Sequence, residues 1–265
     1  MLVVEGIKKH FAGIAALDGA SIEVRAGESV GLVGPNGSGK STALNCCSGF
    51  ERPDAGRVLL LGKDVTGKEP WDVAKLGLVR TFQHANLPTK MSVMDLMLAG
   101  GHLVRGETIR HSLVSWKRVR EEEADAVDKA WSILERIKLD KLAGHPGGKL
   151  SGGQQKLLSL GMALMGDPKI LMLDEPTAGV NPSLRVELAE HLRKLQTEGV
   201  TLLTVEHDMR FISDVCDRVY VLDRGAIIAS CAPAELSDHP EVLEAYLGRS
   251  GSRAVVESAD RRTLS

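Results

Sequence analysis

The chain has 265 residues, a hydrophobic fraction of 43 % and a formal net charge of −2. Such a chain can build one large α/β domain, or a core with a small subdomain. Its balanced charge excludes a general attraction to nucleic acid or to anionic lipid.

Along the chain, Ser21-Ile22-Glu23-Val24 alternates like a strand, Ala26-Gly27-Glu28 reads as a turn, and Ser29-Val30-Gly31-Leu32-Val33 as a short apolar strand. A glycine-rich loop follows, then a helix over Ser41–Ser48 and strands over Arg57–Leu61 and Leu78–Phe82. From Gln83 to Asp167 the character turns helical. Met91–Leu98 is helical in composition, Gly100–Arg120 is basic and weakly patterned, and Glu121–Leu142 is an amphipathic helix. Its apolar stripe is Val127, Ala130, Trp131, Leu134 and Ile137. Strands over Ile170–Leu173, Val200–Val205 and Val219–Asp223 and a helix over Pro182–Thr197 complete the pattern. Strands alternating with helices predict a largely parallel sheet, with the middle third inserted into it. The tail Arg249–Ser265 is Ser- and Arg-rich without periodicity and is expected to be disordered.

Met1-Leu2-Val3-Val4-Glu5 lacks a basic segment followed by a long apolar one, so no secretory leader is expected. No run approaches the ~18 apolar residues of a bilayer span, so membrane contact is expected through a partner. Cys46, Cys47, Cys216 and Cys231 form no C-x-x-C pair and read as small buried hydrophobes in a reducing compartment.

The chemistry sits in a few short stretches. Gly34-Pro35-Asn36-Gly37-Ser38-Gly39-Lys40-Ser41 fits G-x-x-x-x-G-K-[ST] between a strand and a helix, with Thr42 following. Glycines let successive backbone N–H groups converge on phosphate oxygens, and the helix start adds partial positive charge. Lys40 can reach the terminal phosphates of ATP, and the Ser41 hydroxyl can ligate Mg²⁺. Leu171-Met172-Leu173-Asp174-Glu175 ends an apolar strand in two carboxylates, one for magnesium and one to polarise water as general base. Gln83, where strands give way to helices, can touch metal or water; read alone, a surface glutamine is the better reading. His207, after Val200–Val205, can bond the γ-phosphate; read alone, a satisfied or exposed histidine is the better reading. Leu150-Ser151-Gly152-Gly153-Gln154 opens a helix with Ser151 as N-cap, a second anion-binding helix start. Two copies facing head to tail would use both starts on each nucleotide.

Together these residues resemble the ATP-binding subunit of an ATP-binding-cassette (ABC) transporter over about residues 1–248. The matches are the phosphate loop, the Q-loop Gln83, the signature Leu150–Gln154, the Walker B pair Asp174-Glu175 and the switch His207, in the family's order. His10-Phe11-Ala12-Gly13-Ile14-Ala15-Ala16-Leu17, Val79-Arg80-Thr81-Phe82-Gln83, Thr177-Ala178-Gly179-Val180-Asn181-Pro182 and Glu206-His207-Asp208-Met209 are similar to the branched-chain amino-acid (Liv-type, LivG-like) branch. Departures are Asn181 in the D-loop, Met162 and Lys156 where arginine is usual.

The resemblance implies an α/β phosphate-loop ATPase core with an antiparallel β subdomain and an inserted helical subdomain over 83–167. It implies a short carboxy-terminal helical segment over 234–248, with 249–265 beyond it. The expected activity is ATP hydrolysis with Mg²⁺ driving import of branched-chain or related aliphatic amino acids. Glu175, His207 and Gln83 are the expected catalytic residues; Ser41, Gln83 and Asp174 the expected metal site. The expected ATP site is Gly34, Pro35, Asn36, Gly37, Ser38, Gly39, Lys40, Ser41 and Thr42, with Ser151, Gly152, Gly153 and Gln154 from the facing chain. Phe11 matches the aromatic that stacks on adenine, although a core phenylalanine is the alternative. Expected partners are membrane permeases, a second ABC ATPase (same or sister chain) and, indirectly, a periplasmic or extracellular amino-acid-binding protein, at the cytoplasmic face of the inner membrane. No nucleic-acid partner is expected. Other readings are a transporter for urea, amides or lipid, and a soluble ABC ATPase acting on nucleic acid or ribosomes.

Overall fold

Where apolar residues run without interruption, the chain forms strands buried on both faces. The computed structural model describes residues 1–81, 88–105 and 116–246. Gln83, Phe82, the tail 249–265 and part of the Gly100–Arg120 stretch lie outside the described residues. The chain divides into two compact units, one of residues 1–67 and 203–265 and one of residues 68–202.

The first unit opens with an antiparallel sheet of four strands, β1 (Leu2–Phe11), β2 (Ile14–Val24), β4 (Ala55–Leu60) and β5 (Lys63–Asp64), in the order β2-β1-β4-β5. β2 extends well beyond the alternating Ser21–Val24, and β1 has no counterpart among the predicted strands; the register of the pair shifts between Val4 and Ile7 and between Lys9 and His10. Such irregularities break the two-residue period. β3 (Ser29–Val33) is buried at all five positions and pairs in parallel with β9 (Arg218–Asp223). β10 (Ala226–Cys231) pairs antiparallel with β9 and carries no clear alternation of its own. α1 (Lys40–Ser48) leaves the glycine loop and stops at Gly49, whose φ of 83° is the left-handed conformation that suits glycine. α7 (Met209–Val215) is capped by Asp208, which accepts from the N–H groups of Arg210 and Phe211. A 3₁₀ turn at Pro233–Asp238 and a helix over 240–246 form the described part of the 234–248 segment.

The second unit holds α2 (Pro70–Lys75), β6 (Leu78–Thr81), α3 (Val93–Arg105), α4 (Trp116–Arg136), α5 (Gly152–Leu164), β7 (Ile170–Asp174) and α6 (Pro182–Thr197). β6 and β7 pair in parallel, Leu78 beside Ile170 and Thr81 beside Leu173. β8 (Thr201–Val205) lies where the chain passes between units. All five of its residues are buried, as are those of β7.

α3, α4 and α5 pack on one another. α4 ends earlier than the predicted Leu142, at Arg136, and the chain continues through a 3₁₀ turn at Asp140–Leu142. Lys138 takes a φ of 58°, which an α-helix does not accommodate. The stripe is also rotated: Ala130, Ile133, Leu134 and Ile137 are buried, while Trp131 is 42 % exposed. The first-turn donors of α3 are satisfied from outside the helix, Val93 N–H by the His145 carbonyl and Met94 N–H by the Ala143 carbonyl. α3 and α5 approach closely at two glycines. A Cβ on Gly100 would stand 2.7 Å from the Met162 carbonyl oxygen, and one on Gly161 would stand 3.0 Å from Met97 Sδ of α3.

Gly100→Ala should therefore push α3 off α5. The expected loss, read by urea denaturation, is about 1–3 kcal/mol, the usual cost of overpacking.

Candidate functional site

In the first unit the phosphate loop is a backbone structure before it is a binding site. At Gly34, φ is 152°, and a Cβ there would overlap the carbonyl oxygen of Leu222 in β9. At Gly39, φ is 107°, and a Cβ would overlap the carbonyl oxygen of Ala16 in β2. The loop thus threads between two carbonyl groups that exclude any side chain at these positions. Gly37 differs: its φ is 79°, but no atom lies within 4 Å of where its Cβ would stand. Gly37 and Asn36 form the exposed tip, with Pro35 half-buried beside them.

Between tip and helix, Ser38 is 3 % exposed, and its Oγ has no hydrogen-bond partner among the described residues. Lys40 is also buried, and its Nζ donates to the Gly34 and Pro35 carbonyls at 2.8 and 2.9 Å. The lysine thus folds across the loop that precedes it, with its charge at the loop's mouth. Ser41 is exposed and Thr42 half-buried in the first turn of α1.

One contributor escapes sequence reasoning. Gly225, in the turn between β9 and β10, donates its N–H to the Ser38 carbonyl at 2.9 Å. Its own carbonyl accepts from Asp18 N–H at 2.9 Å, and its φ is 80°. A Cβ on it would lie 2.8 Å from Leu17 Cα. Arg224-Gly225 is a legible turn signal, but nothing in its spacing ties it to the loop.

Phe11, at the end of β1, is 43 % exposed, so the reading of it as a core phenylalanine is wrong. Lys9 Nζ stands 5.2 Å from its ring centroid, within cation–π range. His207 follows β8 with its side chain 63 % exposed. Its backbone N–H donates to Oε2 of Glu206, which is fully buried, at 3.1 Å. With Asp208 capping α7, the three residues divide the work: Glu206 anchors, His207 projects, Asp208 starts the helix.

In the second unit, Asp174 ends the fully buried β7 and accepts from Arg80 Nη2 of β6 at 2.8 Å. Both side chains are buried, 7 % and 10 % exposed. Glu175 takes a φ of 45°, rare for a residue with a side chain. Its carbonyl accepts from Ala178 N–H at 3.1 Å and from Lys156 Nζ at 3.2 Å. Strand and carboxylate part at this point, and a turn plus a lysine hold the bend. A cavity of about 20 Å³ beside it, lined by Thr81, Lys156, Ser159, Asp174, Pro176 and Leu188, has room for one water.

Ser151 is the N-cap of α5 and completes a capping box. Its Oγ accepts from Gln154 N–H at 3.3 Å, and Gln154 Oε1 accepts from Ser151 N–H at 2.9 Å. Gly152 is open, with no atom within 4 Å of its Cβ position, whereas a Cβ on Gly153 would overlap Leu184 of α6. Gln83, expected both in catalysis and at the metal, falls outside the described residues.

These features suit a nucleotide. In the first unit the Gly34 and Gly39 positions exclude side chains, Lys40 supplies a buried cation, and Ser41 offers a hard oxygen of the kind magnesium takes. Residues 17–178 match the family described as ABC transporter.

The chain belongs to the ABC transporter family. It is the ATPase subunit, an ATP-binding cassette. It is 42 % identical over 252 residues to the "Probable branched-chain amino acid transport ATP-binding protein LivG" of Archaeoglobus fulgidus, covering 95 % of this chain and 97 % of that one. It is 36 % identical over 249 residues to the "High-affinity branched-chain amino acid transport ATP-binding protein LivG" of Salmonella typhimurium, covering 94 % and 98 %. Among solved structures it is similar to the ADP conformation of MJ1267, an ATP-binding cassette of an ABC transporter. The TM-score there is 0.82 at 40 % identity, over 94 % of this chain and 99 % of that one. A dimeric post-hydrolysis state of the cassette MJ0796 bound to ADP and Pi superposes with a TM-score of 0.73 at 25 % identity, over 88 % and 99 %.

The cassette's departures from common family residues have local structural uses. Asn181 is the N-cap of α6, accepting from Leu184 N–H at 2.9 Å, and Pro182 fills the first helical position. Lys156 holds the Glu175 carbonyl. Met162 presents its backbone to Gly100 in the α3–α5 contact.

Ser151→Ala removes the cap acceptor and should cost about 1 kcal/mol by denaturant unfolding. Ser151→Asn, which can still cap, should retain most of that stability in the same measurement.

Proposed function

We propose that this ATPase is the motor of an importer for branched-chain or related aliphatic amino acids. The observation that carries this reading is likeness along nearly the whole chain, 42 % over 95 % of its residues, to a protein named for branched-chain amino acid transport. Among the described residues no helix is long and apolar enough to cross a membrane. In this reading the chain acts at the cytoplasmic face of the inner membrane, held by permease subunits. Residues 1–248 are the cassette, with 83–167 the inserted helical subdomain that meets the permease and 234–248 the branch's terminal segment. A second ATPase, the same chain or a sister, closes on it, and an amino-acid-binding protein outside the membrane delivers cargo to the permease.

The residue roles follow the family motif and are consistent with the local geometry. Phe11 stacks on adenine. The loop residues from Gly34 to Gly39 other than Pro35, which has no N–H, supply backbone donors to the phosphates, and Lys40 exchanges its Gly34 and Pro35 carbonyl partners for phosphate oxygens. Ser41, Thr42 and Asp174, with Gln83, serve the phosphates and magnesium; magnesium, when bound, offsets charge on the terminal phosphates. Glu175 takes the proton of the attacking water, and the exposed His207 reads the γ-phosphate. Ser151, Gly152, Gly153 and Gln154 act on the nucleotide of the facing chain. Catalysis in this arrangement is positioning plus electrostatic stabilisation of the transferring phosphoryl group.

Glu175→Gln should leave ATP binding intact and lower the hydrolysis rate by about a hundredfold or more, the usual worth of a general base. Phosphate release by the purified chain measures this, and a rate within a few-fold of wild type would remove Glu175 from the role. Uptake of radiolabelled leucine in a strain lacking the chain tests the cargo. Normal leucine uptake there, with loss of urea, amide or lipid transport, would reassign it.

A further inference from the structure

The Asp174-Glu175 pair is gripped from outside its own strand by a residue with no place in the nucleotide motifs. β6 lies parallel to β7 with Arg80 beside Met172, two residues short of Asp174. The arginine is long enough to reach forward along the strand, and its Nη2 meets Asp174 Oδ2 at 2.8 Å. Both groups are withdrawn from solvent, at 7 % and 10 % side-chain exposure. A charge-assisted bond in such a place is directional and little screened. It takes one carboxylate oxygen and thereby sets where the other points. Glu175, next along, is held separately, by its carbonyl on Lys156 Nζ and Ala178 N–H. The two acids therefore have independent supports.

We propose that Arg80 is a positioning residue for the magnesium site: by engaging Oδ2 of Asp174 it orients Oδ1 toward the water shell of the ion. The inference rests on the functional reading above. Carboxylates that serve a metal are commonly oriented by such an outer partner, whose loss typically costs about 10- to 100-fold in metal affinity or activity. Arg80 touches neither nucleotide nor water in this scheme. Its loss should therefore leave magnesium-free nucleotide binding alone and weaken the response to magnesium.

The test uses the purified full chain and a fluorescent ATP analogue, titrated in EDTA and then in rising magnesium. Arg80→Gln should bind the analogue in EDTA as wild type does, while the magnesium concentration giving half-maximal ATPase, and half-maximal tightening of the analogue, rises about tenfold or more. Arg80→Lys keeps the charge but loses the planar fork, so its midpoint should rise less, by about threefold, again with unchanged binding in EDTA. Should Arg80→Gln not fold, the lysine variant decides by the same two readings. An unchanged magnesium midpoint in the folded variants overturns the proposal. So does an equal loss of binding in EDTA, which a merely structural role would produce. A wild-type chain that binds no nucleotide overturns the functional reading and this inference with it. A wild-type chain that binds nucleotide and responds to magnesium, beside Arg80 variants with the same magnesium midpoint, overturns this inference alone.

Discussion

The phosphate loop depends on two places where a side chain cannot exist. At Gly34 and Gly39 the positions of Cβ are already occupied by the carbonyl oxygens of Leu222 and Ala16. Because those oxygens belong to β9 and β2, the loop's shape is set by the strands around it rather than by its own residues. The loop is then fastened at Ser38 by Gly225, whose turn is itself bonded to Asp18 of β2. Preorganisation of this kind places backbone donors before a ligand arrives, so binding loses little to ordering. Lys40 fits the same logic. A buried cation must have acceptors, and the carbonyls of Gly34 and Pro35 hold it near the place a phosphate would take.

The second unit solves a different problem, that of holding carboxylates at the end of a buried strand. β7 is inaccessible along its whole length, so Asp174 emerges from an apolar environment with its charge needing a partner. Arg80 supplies it. Glu175 then leaves the strand line through a left-handed backbone, which turns its side chain away from the direction a continued strand would give. Such a conformation costs about 1–3 kcal/mol in general and persists only where surroundings hold it. Here the holding groups are a turn donor and Lys156, which extends from the first turns of α5.

Much of this was legible in the sequence because burial on both faces leaves a simple trace. The runs in β3, β7 and β8 are mainly apolar, and the glycine-lysine-serine spacing follows one of them directly. The less legible parts have equally specific causes. β10 carries only a short apolar run, Ala226–Ala229, of which Ala229 alone is buried, so it marks the strand more weakly than the fully buried runs do. α2 and α7 are too short for a helical period to declare itself, although Pro70 and Asp208 mark their starts. Trp131 follows the expected helical spacing yet lies at the edge of the buried stripe, since bulk and apolarity alone do not say which way a helix is rotated. Arg80 and Asp174 are 94 residues apart, and Gly225 and Ser38 are brought together by strands whose pairing is not written in their own composition.

The start of α5 shows how structure and chemistry share the same atoms. Ser151 Oγ accepts the Gln154 N–H, and Gln154 Oε1 accepts the Ser151 N–H, so the cap satisfies two helix donors internally. A hydroxyl that accepts one bond still has its proton to donate. Gly152 adds an open backbone, and Gly153 lies against the Leu184 side-chain methyl, which a Cβ there would displace. A helix start built only for stability would need the cap but not two consecutive glycines, each of which weakens a helix by up to about 1 kcal/mol. What the glycines provide is unobstructed N–H groups beside a hydroxyl donor, at the positive end of a helix dipole. That combination suits a phosphate arriving from outside the chain, and in the proposed dimer the facing subunit brings one.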